Sequence, residues 1–160
     1  MIKIVEYDDK YAREMSKIII TNMYEINIKD HGKDVIDRIS KYFTEKEIKK
    51  QFPNRTKCFV ALDNERVVGT ASIDRFRGDE TGTKYIILTV FVRSENHKQG
   101  IGKALIQEIE KYAVQIGVRE LIILASVYGC EFYRKLGYDY LDGKKEQNED
   151  KEYILVKYFN

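Results

Sequence analysis

Soft metal ligands are scarce in this chain, which holds only two cysteines and two histidines. His31 and His97 lie far apart, and neither has the companion Cys or His spacing of a metal site, so no metal is expected. Cys58 falls in an apolar, strand-like run and Cys130 in a separate segment; both are expected to be free thiols. Charge of one sign is lacking too, since 28 basic side chains balance 26 acidic ones for a net +2. That balance argues against a nucleic-acid partner, which needs a basic stripe, and against a basic membrane patch. No apolar run reaches membrane-spanning length, and the opening MIKIVEYDDK lacks the charged-then-apolar layout of a signal peptide. The expected compartment is the cytoplasm. The sequence has no internal repeat and no low-complexity tract.

What remains is an ordinary globular composition. The 160 residues are 43% hydrophobic and 34% charged, enough to bury a core in a single domain spanning 1–160. IKIVEY opens as a strand. Tyr11, Met15, Ile18, Ile19, Asn22 and Ile26 then recur near helical period, and Val35, Ile39, Tyr42 and Phe43 repeat the stripe in a second helix. Thr44 to Glu47, TEKE, has the form of a capping box that restarts a short helix, which Pro53 ends. KCFVAL and RVVGTASI flank Asp63-Asn64-Glu65-Arg66, a hairpin signature. YIILTVFV at 85–92 is continuously apolar and predicts a central strand covered on both faces.

The spacing next predicts a helix over 101–116, with Ile101, Ala104, Leu105, Ile109, Tyr112, Ala113 and Ile116 on one face. LIILA follows as a second central strand, so strand, helix and strand form a right-handed parallel crossover. A short helix at 131–136 stops at Gly137, well placed as a left-handed C-cap. YDYL and EYILVKYF finish as paired strands around the exposed loop 142–152. The expectation is an α/β (α+β) fold, a mixed sheet with helices on both sides.

One stretch asks for chemistry. Gly100 and Gly102 sit between a buried strand and a helix N-terminus, which carries unpaired N–H groups and a partial positive charge suited to phosphate. A P-loop would need Ser or Thr after Lys103, where Ala104 stands, and a dinucleotide fingerprint would need a third glycine at Leu105. The remaining alternative is that the glycines only shape a tight turn.

The surroundings favour a ligand. Segment 85–138 resembles the GNAT superfamily of acetyl-CoA-dependent N-acetyltransferases. That family's loop reads Gln/Arg-x-x-Gly-x-Gly/Ala, and His97-Lys98-Gln99-Gly100-Ile101-Gly102 follows it with His97 in the Gln/Arg place. The family's second block reads Asn, then Tyr seven residues on, then x-x-Leu-Gly-Phe. Here Ser126 takes the Asn place, and FYRKLGY supplies Tyr133, Leu136, Gly137 and Tyr138.

The resemblance implies a mostly antiparallel sheet split by a V-shaped cleft, with acetyl-CoA as cosubstrate and no metal. It implies that backbone groups of Phe91 and Val92 bond the pantetheine arm. The amides of Gln99, Gly100, Ile101, Gly102, Lys103 and Ala104 would cradle the pyrophosphate, with His97 and Lys98 beside them. For catalysis it implies the Val92 N–H as oxyanion donor, Tyr133 as acid for the leaving sulfur, and Ser126 as a contact to the pantetheine or a water near the sulfur. The base stays open among Asp74, Glu25 and water chains. Acceptor contacts are expected from MYEINIKDHGKDVI, whose Glu25, Asp30 and Asp34 could hold a cationic amine, while His31 reads as a surface residue. The acceptor would be a small-molecule or peptide amine, with no nucleic acid and no membrane, and family members often form homodimers. Two other functions compete: a non-catalytic acyl-CoA-binding module or sensor, and a toxin-like enzyme acetylating aminoacyl-tRNA.

Overall fold

The computed structural model describes residues 1–160. Strand β1 (Ile2–Glu6) leads into helix α1 (Ala12–Asn22), a π-helical turn (Met23–Asn27), α2 (Ile28–His31), α3 (Lys33–Ser40) and α4 (Glu45–Gln51). The sheet then builds from β2 (Lys57–Asp63), β3 (Arg66–Arg75) and β4 (Tyr85–Val92). Helix α5 (Ile101–Gln115), β5 (Glu120–Ala125), α6 (Cys130–Lys135), β6 (Asp139–Tyr140) and β7 (Tyr153–Tyr158) complete the chain. Strand order is β1-β2-β3-β4-β5-β7-β6, and every neighbouring pair is antiparallel except β4 with β5. This is the mixed, mostly antiparallel sheet the sequence implies. No helix is long and apolar enough to cross a membrane.

Strand alternation sorts the core into two layers. In β2, Phe59 and Ala61 turn to the face covered by α5, while Cys58, Val60 and Leu62 turn to α1, α3 and α4. Both cysteines are free and buried. Asn64 and Glu65, with φ of 49° and 73°, give the β2–β3 hairpin the two left-handed residues whose twist matches the strands. Thr44 accepts from the Glu47 N–H at 3.3 Å and starts α4 as expected. Gly137, at φ 99°, follows α6 as the expected left-handed residue.

Four departures from the sequence reading have local causes. The first helix does not run evenly to Ile26, because the π-helical turn shifts its register after Asn22 and re-aims that end of the helix. In α3 the buried residue is Ile36, and Tyr42 is exposed, since the helix tightens into a 3₁₀ turn at Lys41–Phe43. On α5 Ile106 is buried instead of Ile116, which lies at the fraying C-cap and is exposed. Strand β4 is fully buried only at Ile86 and Ile87; Leu88 to Val92 are half-exposed, so the second face of that half is open.

A polar clamp closes the sheet onto α5. Tyr138 Oη donates to Glu110 Oε2 at 2.7 Å, and Lys157 Nζ donates to the same oxygen at 3.0 Å and to Leu136 O at 2.9 Å. Burial and the Glu110 carboxylate hold the Tyr138 phenol far above its usual pKa, so it stays a donor. Glu110→Ala would leave the buried phenol without its acceptor. We expect it to lower stability by about 1–3 kcal/mol, read from denaturant unfolding, with the slope of the transition unchanged.

Candidate active site

The open half of β4 results from a parting of strands. β4 pairs with β5 only at Tyr85–Leu121, Ile86–Ile122 and Ile87–Ile123. Beyond them β5 stays bonded to β7 while β4 stays bonded to β3, and a cleft of about 640 Å³ opens between. A bulge turns β4 away: its register against β3 shifts between Thr70 and Ser72, and Thr89 sits opposite at φ 54°. Arg55 holds this bulge. Its Nη1 donates to Thr89 Oγ1 at 2.9 Å and Ser72 Oγ at 3.1 Å, with the guanidinium 3.9 Å from the Phe52 ring centroid.

At the end of β4 the hydrogen-bond pattern decides which groups face the cleft. Arg93 N–H donates to Val68 O at 2.8 Å, which makes those two a bonded pair and, by alternation, Thr70 and Phe91 the next. By that alternation Phe91 directs its backbone groups toward β3. Val92 turns the other way. Its carbonyl accepts from Asn22 Nδ2 at 3.1 Å and from His97 Nε2 at 2.8 Å, and its N–H points to the open side.

The glycine loop ends in the first turn of α5. Lys98 and Gly100 are left-handed, with φ of 63° and 81°. No acceptor in the chain takes the backbone N–H groups of Lys98, Gln99, Gly100, Ile101, Gly102 and Lys103, whereas Ala104 N–H is bonded to Gly100 O at 3.0 Å. Ala104 N–H is therefore already paired within the helix. The other consecutive donors at a helix N-terminus make an anion-binding concavity. Gly102 has a second constraint: a Cβ there would lie 3.0 Å from Phe132 Cζ, so the exposed Phe132 ring would have to shift by a few tenths of an ångström. His97 lines the cleft, but its Nε2 ties the loop to Val92.

Tyr133, on α6, lines the cleft together with Ser126 at the end of β5. Its ring packs edge-on against Phe132 (5.0 Å between centroids) and Tyr138 (6.4 Å). Its hydroxyl has no hydrogen-bond partner in the chain, and burial raises its pKa well above the usual 10. Ser126 Oγ accepts from the Gly129 N–H at 3.0 Å, which shapes the turn into α6 and leaves the hydroxyl proton free to donate.

The family model for GNAT acetyltransferases matches residues 20–138, a span that takes in the bulged strand, the loop of free N–H groups and the Tyr133 helix. The chain belongs to the GNAT acetyltransferase family. No curated protein sequence matches it. Among solved structures it resembles the PaiA N-acetyltransferase of Thermoplasma acidophilum in complex with coenzyme A, with a TM-score of 0.81 at 16% identity over 99% of both chains. A GNAT-family acetyltransferase from Staphylococcus aureus aligns with a TM-score of 0.76 at 19% identity, again over 99% of each chain. One from Brucella melitensis, in complex with acetyl-CoA, gives 0.67 at 18% identity over 100% of this chain and 89% of that one. At such identities the likeness is one of fold.

Within this GNAT fold the acidic candidates scatter. Asp74 Oδ1 accepts from Thr56 N–H and Oγ1 at 3.3 and 3.1 Å, and the residue does not line the cleft. Glu25 is exposed, takes a hydrogen bond from Ser94 Oγ at 2.8 Å and lines a separate depression. Asp34 is exposed, while Asp30 is half-buried with Oδ2 unpartnered. His31, read as a surface residue, instead lines the cleft with Asn22, Ile26 and Asn27. Glu152 lines it too, and nothing in the polar segment 142–152 marks it out in the sequence. The loop conformation needs Gly100 most. Gly100→Ala keeps space for its methyl but forces a left-handed Cβ, and should cost about 1–2 kcal/mol in denaturant unfolding.

Proposed function

We propose that this GNAT acetyltransferase, acting as one domain over 1–160, moves the acetyl group of acetyl-CoA to a primary amine of a small molecule or peptide by direct attack in a ternary complex. The observation that carries the reading is the row of unpartnered N–H groups from Lys98 to Lys103 at one end of a cleft of about 640 Å³. These donors fit a pyrophosphate, and Lys98 and Lys103, which line the same end, add cationic charge. The gap between β4 and β5 is a slot where an amide-bearing arm can bond like an extra strand.

The cosubstrate supplies the acetyl group as a thioester. Val92 N–H, directed into the cleft, donates to the carbonyl oxygen as that oxygen gains negative charge. The amine loses its ammonium proton to water, and its nitrogen bonds the carbonyl carbon as the C–S bond breaks. Tyr133, kept protonated by burial, gives its proton to the departing sulfur and regains one through water from the acetylated nitrogen. Ser126 offers its hydroxyl beside it. His97 holds the Val92 carbonyl, so its part is to fix the loop and strand end that aim these donors. The Tyr133 hydroxyl favours an enzyme over a non-catalytic acyl-CoA sensor, because it stands on the cleft wall with no acceptor in the chain and its proton is free for an atom bound there.

Two substitutions test the reading. Gly102→Glu sets a carboxylate among the free N–H groups and against Phe132. It should abolish coenzyme A binding in calorimetry while the circular dichroism spectrum is kept; normal binding would reduce the loop to a turn. Tyr133→Phe keeps the ring packing and removes the donor. Turnover, followed as thiol release against a panel of amino acids, aminoglycosides, peptides and simple amines, should fall by about 10²–10⁴ with acetyl-CoA affinity unchanged. Wild-type turnover would assign the proton to water.

A further inference from the structure

One carboxylate lines the cleft. Among the side chains on its walls, Lys98 and Lys103 are cationic and Glu152 alone is an acid. It reaches the cleft because Asn148 folds the preceding loop back on itself: Asn148 Oδ1 accepts from the N–H groups of Asp150 and Glu152 at 3.0 and 2.9 Å, and Asn148 N–H donates to Glu152 O at 2.8 Å. Tyr153, the next residue, is already paired with Ala125 on β5, so Glu152 lies beside the end of the strand that leads to Ser126. Its carboxylate has one weak donor, Asn148 Nδ2 at 3.4 Å, and no ion-pair partner. A half-buried carboxylate in that position lacks the solvation it would have at the surface. Burial accordingly raises its pKa, with Asn148 and the nearby His31 ring pulling the other way and Asp150 adding to the rise.

We propose that Glu152, with His31 beside it, is the subsite that receives the positive charge of the acceptor, and that the acceptor docks as an alkylammonium ion with its apolar stem along Ile26 and Leu124. This rests on the acetyltransfer reading above and adds the side chains that choose the acceptor. The ammonium supplies the donors that the Glu152 carboxylate lacks. The basic groups Lys98 and Lys103 belong to the loop and the α5 N-terminus, so one end of the cleft suits the anionic part of a cosubstrate and Glu152 suits a cation.

The test uses n-butylammonium as probe, titrated into the protein–coenzyme A complex, with n-butanol as the uncharged control. The wild type should bind n-butylammonium and prefer it to n-butanol. Glu152→Gln should weaken n-butylammonium by about tenfold to a hundredfold and leave n-butanol unchanged. Glu152→Asp, which keeps the charge on a shorter stem, should recover part of the loss, and it carries the comparison if the Gln variant is unstable. Coenzyme A affinity is measured on the same samples and should be unaffected by either change. Equal n-butylammonium affinity in wild type and Glu152→Gln overturns the subsite, as does a wild type that binds n-butanol as well or n-butylammonium not at all. Failure to bind coenzyme A would instead strike the acetyltransfer reading itself.

Discussion

Beyond Ile87 and Ile123, two adjacent strands in the middle of a seven-stranded sheet stop bonding to each other. Parallel neighbours normally continue their ladder, and each buried backbone group left without a partner costs about 1–3 kcal/mol. The fold limits that cost locally. The Val92 carbonyl is satisfied twice, by a side chain from α1 and by one from the glycine loop. Thr89, strained at positive φ, is held through its hydroxyl by Arg55, whose own charge rests on an aromatic face instead of a carboxylate. Groups left unpaired after this compensation, above all the Val92 N–H, are where an extended ligand can complete the sheet.

The division of the cleft follows from the crossover that joins the same two strands. Because β4 and β5 are parallel, the chain must return through α5, and that return sets the helix N-terminus at the open end of the gap. Helix dipole, left-handed Lys98 and Gly100, and two lysines then gather positive character at one end. Other parts of the lining come from elements remote in sequence: the π-turn after α1, His31 at the end of α2, and Glu152 just before β7.

Much of this was legible in the sequence, because the strong signals are periodic and local. The continuous apolar runs at 85–92 and 121–125, the glycine pair, and Tyr133 seven residues after Ser126 fix the sheet centre, the loop and the α6 phenol. Departures cluster where a local rule meets a tertiary one. Hydropathy could not tell a β4 covered on both faces from one facing a slot, since a ligand-lining strand is as apolar as a buried one. Backbone direction at Phe91 and Val92 depends on a bulge in β4 itself, where Thr89 and Val90 face the single residue Ala71 of β3. Glu152 and Arg55 carried no signal, for each is an ordinary charge in a polar stretch until an Asx turn or a bulge gives it a target.

Gly102 and Tyr133 show how closely stability and site are joined here. The bare backbone at Gly102 admits the Phe132 ring, and Phe132 in turn packs edge-on to Tyr133. A side chain at 102 would thus disturb the phenol as well as the N–H groups, even though the two serve opposite ends of the same cosubstrate in the proposed chemistry. The phenol itself is half-buried: its ring packs against Phe132 and Tyr138, while its hydroxyl, on the cleft wall, has no acceptor in the chain. An unpartnered donor kept at the wall of an open slot is best understood as held in readiness for an atom that arrives there.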